Sequence, residues 1–341
     1  MRAFFTRHRL LFLTAFLWWF SGAFQIFPLG WVALAPFFLS LEGKTTGQRF
    51  RGGYATGFVS FWLINWWLVP TITKGSPTIG APIFLGFFLS VLAVTLIAAI
   101  HAMQPALVAL LWTGDARWRP LLVALGWALG DFVRTQTSLA HGWGALAFSQ
   151  TTDLPLLQLA AVFTQHGLTF LCALVAACLA QWWLTKEKLW LVAPCAIMVL
   201  AHIWGFSRLM QPETGKPLNV LVVQTAVSSL SKSGLANGEA AFPQAFRLTS
   251  EAVKAKGAKP FDLVVWPETT AHLRRFGNLY TSLDWETWRR EGQKLPLVMG
   301  AGVTDEKNRE WNEAILVMPD GSTQSRAKTR LVPFGERAPL V

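Results

Sequence analysis

Two stretches of this sequence hold residue types that could do chemistry: Trp266-Pro267-Glu268, and Lys328-Thr-Arg-Leu-Val-Pro-Phe-Gly-Glu336. A carboxylate held near a nucleophile can take its proton, and a lysine held nearby can meet negative charge as it develops. Each stretch alone has a plainer reading. Glu268 follows the apolar run Phe261 to Trp266 as a loop acid, with Pro267 stopping the strand ladder and fixing the carboxylate at the sheet edge. Lys328 and Glu336 alone would flank a solvated turn made by Pro333 and Gly335. Cys172, Cys178 and Cys195 fall in apolar helical stretches without CxxC spacing and read as small core residues. The six histidines show no HExxH or other metal spacing, so each reads as structural.

The elements that must position Glu268 and Lys328 are strands and helices of an α/β sheet. Asn219 to Gln224 and Phe261 to Trp266 read as buried strands, with a helix from about Ala245 to Lys256 between them. A helix near Trp285 to Glu291 and strands at Pro296 to Ala301 and Ala314 to Met318 extend the pattern. Sheets of this kind present functional residues on the loops at their strand ends.

The preceding residues have a different solvent. Of 341 residues 52% are hydrophobic and 14% charged, far below the roughly 25% charged of a soluble domain. The apolar excess lies before residue 210, giving two domains, a transmembrane helical one at 1–209 and an aqueous one at 210–341. Spans are expected near 10–26, 28–42, 54–70, 82–113, 120–135, 154–185 and 189–207, with Pro105 breaking the fourth and tilt absorbing the length of the sixth. Most of the net charge of +11 belongs to this part, where 13 Lys/Arg stand against 5 Asp/Glu. Ten of those cations fall in loops on one side and three on the other, which makes the N-terminus cytoplasmic and places residues 210 onward outside, in a bacterium the periplasm. A charge explained by topology excludes nucleic acid as a partner.

Near the proposed span ends, Trp18, Trp19, Trp62, Trp66, Trp67, Trp112, Trp182, Trp183 and Trp190 read as an interfacial belt, with a lipid-substrate surface as the functional alternative. Gly53/Gly57 and Gly126/Gly130 have the spacing that lets helices approach closely. Asn65 and the pair Asp131/Arg134 are polar groups in hydrocarbon. The pair shares a helical face and has two open readings: mutual neutralisation, or contact of Arg134 with a lipid headgroup.

Glu268 and Lys328, in this order and about 60 residues apart, resemble the motifs of the carbon-nitrogen hydrolase (nitrilase) superfamily, which uses a Cys-Glu-Lys triad. The resemblance implies Glu268 as general base for a cysteine thiol, Lys328 as stabiliser of the tetrahedral oxyanion and Glu336 as the acid that positions the lysine. Asn312 in Trp-Asn-Glu resembles the asparagine of the family's preceding strand. Such a domain after a multi-span region is similar to the apolipoprotein N-acyltransferase family, to which Ile64-Asn65-Trp66 and Asp131-Phe132-Val133-Arg134 also correspond. The fold implied is a polytopic α-helical membrane domain of about seven spans, followed by the N-terminal half of an α/β nitrilase-like sandwich. The function implied is transfer of an acyl chain from a phospholipid donor, through a cysteine thioester, to the α-amino group of a lipid-modified apolipoprotein at the bacterial inner membrane. No cofactor or metal is implied.

The chain departs from the family pattern in several places. The nucleophilic cysteine is expected past Val341, and Cys172, Cys178 and Cys195 cannot replace it from the membrane part. The tryptophan expected around Ser231 to Leu235 is not found, Ala327 stands where an aromatic residue is usual, and the last membrane span is missing. The chain is expected to be a fragment of a longer product or a truncated, inactive relative. The alternatives in function are a membrane-anchored nitrilase-like amidase and a non-catalytic membrane protein. The charge bias makes a direct prediction. Single cysteines introduced at Lys44 and at Gly277 should differ in labelling by an impermeant maleimide on intact cells; equal labelling at both would overturn the orientation.

Overall fold

The computed structural model describes residues 2–136, 141–227, 241–256, 261–277, 279–282, 285–286, 288 and 294–331. The chain forms two compact units divided between Pro212 and Glu213.

The first unit is helical, and prolines set where its helices break. α1 (Arg2–Ala23) is followed by two short helices, α2 (Phe27–Val32) and α3 (Ala35–Leu41), where the sequence suggested one span. Pro36 offers no N–H to the carbonyl of Val32 and its ring crowds that carbonyl, so α2 stops there. α4 (Thr46–Asn65) opens on a capping box, with Thr45 and Gln48 each accepting the other's backbone N–H. It bends by 50° into α5 (Leu68–Gly75), where Pro70 would meet the carbonyl of Trp66. α6 (Ile83–His101) gives way to α7 (Met103–Leu110) at Ala102, one turn before Pro105 as expected. α8 (Arg119–Gln136), α9 (Leu154–Leu157), α10 (Ala160–Thr185) and α11 (Leu189–Leu209) complete the unit. The sixth stretch absorbs its length by breaking after α9 and at Thr164, whose φ is 58°, and not by tilt alone.

Among the described residues, three helical segments are long and apolar enough to cross a membrane: Ile83–Leu110, Ala160–Thr185 and Leu189–Leu209. A fourth is added if the bent α4–α5 pair is one span. The core lies where α1, α3, α4, α7, α8 and α10 meet around Trp18, Phe37, Phe38, Phe61, Trp112 and Trp127. Trp18 and Trp112 are therefore core residues and not part of a belt, and each indole N–H has a partner, the Gly144 carbonyl at 2.8 Å and the Glu42 carboxylate at 3.0 Å. Cys172 and Cys178 are buried as expected, but Cys195 is exposed on α11. Gly53 and Gly57 do bring helices close: a Cβ on Gly53 would lie 2.5 Å from the Pro105 carbonyl oxygen on α7.

The polar pair in this unit neutralises itself. Asp131 is fully buried and Arg134 is 5% exposed, so Arg134 is not at a lipid surface. Asp131 accepts from Arg134 at 2.9 Å, from Gln104 at 2.9 Å and from Thr169 at 3.1 Å, while Arg134 also donates to the Trp143 carbonyl. The network ties α7, α8 and α10 to the segment after α8.

Among the described residues, the second unit holds a seven-stranded mixed sheet. β1 (Val220–Val222) and β2 (Leu263–Val265) are parallel and joined through α12 (Ala241–Lys256), the expected β-α-β unit. β3 (Ala271–Phe276) and β4 (Leu279–Thr281) form a hairpin absent from the sequence reading. β5 (Leu297–Asp305), β6 (Glu310–Val317) and β7 (Thr323–Ala327) form an antiparallel meander. One face buries Leu297, Met299, Ala301 and Val303 of β5 with Val264, Leu273 and Ile315. α12 covers part of it through Phe242 and through Thr249, whose hydroxyl accepts from the Trp266 indole at 2.9 Å. The helix expected near 285–291 lies largely outside the described residues.

Removing one member of a buried ion pair leaves the other charge uncompensated, at a cost of about 3–5 kcal/mol. Asp131→Ala should accordingly lower the thermal midpoint of the detergent-solubilised chain strongly, and Asp131→Leu with Arg134→Met should recover much of the loss. A single variant as stable as the parent would mean that water already reaches the pair.

Candidate functional site

β2 and β3 lie in succession along the same edge of β5, both parallel to it. β2 pairs Val265 with Val298, and β3 resumes by pairing Ala271 with Ala301. Two residues of β5, Met299 and Gly300, thus face five of the neighbouring chain, so residues 266–270 must bulge out of the sheet. Bulges re-aim side chains, and Glu268 stands at the apex of this one. Its ends are held by backbone hydrogen bonds, Trp266 N–H to the Val298 carbonyl at 2.8 Å and Thr270 N–H to the Gly300 carbonyl at 2.8 Å. Gly300 N–H donates to the Pro267 carbonyl at 3.2 Å, and the Thr270 hydroxyl donates to the same oxygen at 2.6 Å. Pro267, with no N–H, costs this ladder nothing. Thr269 takes φ 54°, an unfavoured conformation for a residue with a Cβ, of the kind that collects at functional sites.

The bulge needs a glycine beneath it. A Cβ on Gly300 would lie 2.5 Å from the Glu268 Cα, 2.7 Å from the Pro267 oxygen and 3.0 Å from the Thr269 nitrogen. All three are backbone atoms and cannot turn aside.

Lys328 reaches the same point from the opposite edge of β5, by way of β6 and β7. It follows β7, and its N–H extends the β6–β7 ladder by donating to the Asn312 carbonyl at 2.7 Å. Its ammonium lies 3.0 Å from Glu268 Oε1, and the Asn312 side-chain amide donates to that same oxygen. Glu268, Lys328 and Asn312, distant in sequence, are thereby brought together. Glu336 lies outside the described residues, as does the segment around 231–235. The Glu268 side chain is 58% exposed and that of Lys328 31%, so their pairing is worth at most about 1 kcal/mol to the fold. Backbone geometry sets the site, and the ion pair contributes orientation.

Two features at the site escaped the sequence reading. Glu313, next to Asn312, points to the opposite face, is 2% exposed, and accepts from Arg275 on β3 and from the Tyr280 hydroxyl on β4 at 2.9 Å. It ties the missed hairpin across β5 to β6. Burial, with the hydrogen bond to Glu313, pushes the Tyr280 hydroxyl above the usual tyrosine range. The alternation in Ala271-His-Leu-Arg, followed by Gly277 at φ 57°, was the available signal for the hairpin. The second feature is the tip of β5–β6, where the Arg309 backbone N–H, the Trp311 indole and the Arg309 guanidinium all donate to Asp305 and hold its carboxyl well below the usual carboxylate range. This fixes the approach of β6, and with it Asn312.

The chain resembles known proteins over most of its length. A family model described as the apolipoprotein N-acyltransferase N-terminal domain matches residues 13–178. An apolipoprotein N-acyltransferase of Geobacter metallireducens is 29% identical over 92% of this chain and 61% of its own length. Those of Sinorhizobium medicae and Pseudomonas putida are 26% and 27% identical over 94% and 93% of this chain, and over 61% and 62% of their own lengths. The chain thus spans about 61% of the length of these relatives.

The geometry of the bulge is open to direct test. Overpacking costs typically about 1–3 kcal/mol, and at Gly300 the turn carrying Glu268 must give way. Gly300→Ala should speed backbone hydrogen exchange in residues 263–276, whereas Gly215→Ala, with open space around its Cβ, should not. Unchanged exchange in Gly300→Ala would show that the turn does not rest on β5.

Proposed function

We propose that the chain belongs to the apolipoprotein N-acyltransferase family, whose N-terminal domain it resembles over residues 13–178, and that it carries part of the machinery for N-acylating the diacylglyceryl-cysteine of apolipoproteins. The observation that carries this reading is the meeting of Lys328, Asn312 and Glu268 on one carboxylate oxygen. The membrane unit crosses seven times with a cytoplasmic N-terminus, which puts the second unit in the periplasm.

The nucleophile in this reading is a cysteine supplied from outside residues 1–341. Its thiol gives a proton to Glu268, and the thiolate attacks the ester carbonyl of a phospholipid. Negative charge then builds on the carbonyl oxygen, beside the Lys328 ammonium, which is placed before the reaction and needs no reorganisation. The ester C–O bond breaks, the lysophospholipid alkoxide leaves with the proton held by Glu268, and a thioester remains. Asn312 keeps Glu268 aimed during these transfers, and Glu336 positions Lys328. The acceptor's amine then takes the acyl chain.

Reading the coding frame beyond codon 341 and expressing the whole product provides the test. Incubated with acyl-labelled phospholipid, that product should acquire hydroxylamine-sensitive label. Glu268→Gln should prevent labelling, and Lys328→Met should slow it by about 100-fold or more, as for loss of one oxyanion donor. Glu336→Ala should weaken it. Full labelling of Glu268→Gln would overturn the assignment, and a thioester that passes only to water would identify an amidase.

A further inference from the structure

His272 is the only histidine after residue 210. In β3 it alternates with buried Ala271 and Leu273 and so belongs to the exposed face. It pairs with Gly302 of β5, and Gly302 pairs with Asn312 of β6, so the three form one rung across the sheet. Side chains of one rung share a face, and adjacent Cβ positions stand about 4.5–5.5 Å apart. Gly302 places no side chain there, and the imidazole takes the space: its Cδ2 and Nε2 lie 3.3 and 3.7 Å from where a Cβ would stand. The ring therefore lies over β5 on the side of Asn312, whose amide holds Glu268. Imidazole, amide, carboxylate and ammonium share one face.

Acyl transfer to an amine has a proton requirement that one carboxylate does not meet. An α-amino group has an ordinary pKa of about 7.7–8.0, so near neutrality it arrives mostly as an ammonium. Its nitrogen must lose one proton before it can attack and a second as the amide forms. We propose that His272 is the residue that takes the first, an inference that rests on the acyltransferase reading above. The ammonium gives one proton to the imidazole and the neutral nitrogen attacks the thioester carbonyl, forming a C–N bond. As the C–S bond breaks, the second proton passes through Glu268 to the departing thiolate and restores the thiol. The imidazolium, exposed at the face of the sheet, releases its proton to water.

The two half-reactions separate this role from a structural one. In the whole gene product, His272→Gln should form the thioester from labelled phospholipid at the parent rate. Its release of the acyl chain to a synthetic peptide bearing a diacylglyceryl N-terminal cysteine should be slower by about 100-fold at pH 6.5, the scale of general base catalysis. The deficit should shrink above about pH 8, where the amine is already neutral. Added imidazole should partly restore transfer in His272→Ala. Equal slowing of both half-reactions, a deficit unchanged by pH, or no deficit would each overturn the proposal. If the unsubstituted product forms no thioester at all, the acyltransferase reading falls and this inference with it.

Discussion

The candidate site depends on how closely the turn from Pro267 to Thr270 lies against β5. Neighbouring strands sit about 4.8 Å apart, which ordinarily leaves room for side chains only above and below the sheet. Here a backbone turn is pressed onto a strand, and it fits because Gly300 has no Cβ to meet the Glu268 Cα. The hydrogen bonds of Trp266, Gly300 and Thr270 then fix both ends of the bulge, so its apex has little freedom. An exposed ion pair worth at most about 1 kcal/mol could not impose this geometry. The order of cause runs from glycine to turn to carboxylate, and Lys328 and Asn312 meet a group already in place.

The same strand divides core from chemistry by its alternation. Leu297, Met299, Ala301 and Val303 face the apolar side, while Gly300 and Gly302 face the site. A slip of one residue in register would exchange the two sets and bury glycines where the core needs bulk. Register is held on both sides of β5, by the eight paired positions with β6 and by the Glu313 cluster that reaches from β6 to β3 and β4. A buried carboxylate satisfied by two donors is costly to misplace, so it opposes the alternative pairings that apolar residues alone would tolerate.

In the membrane unit the scarce resource is hydrogen-bond partners. Prolines free carbonyls at Val32, Trp66 and His101, and the helices end or bend close to each one. Asp131 and Arg134 are tolerated there because they pair with each other and bond to Gln104, Thr169 and the Trp143 carbonyl. The polar groups that mark this unit in the sequence are thus the fastenings of its helices.

The sequence by itself determined the division into an apolar helical part and an α/β part, because composition and hydrophobic period are properties of local stretches. It also determined that Glu268 follows a strand, since Trp266-Pro267 can only end a ladder, and resemblance supplied its association with Lys328. It left undetermined what depends on residues far apart. The β3–β4 hairpin was hidden because six and three residues carry a weak periodic signal, and their pairing with β5 is a long-range event. Trp18 and Trp112 looked like belt residues because position near a span end does not reveal which side of a helix meets neighbouring helices. The placement of Glu268, Asn312, Lys328 and His272 on one face was decided by tertiary structure alone, because strand order and register bring together residues that no local rule relates.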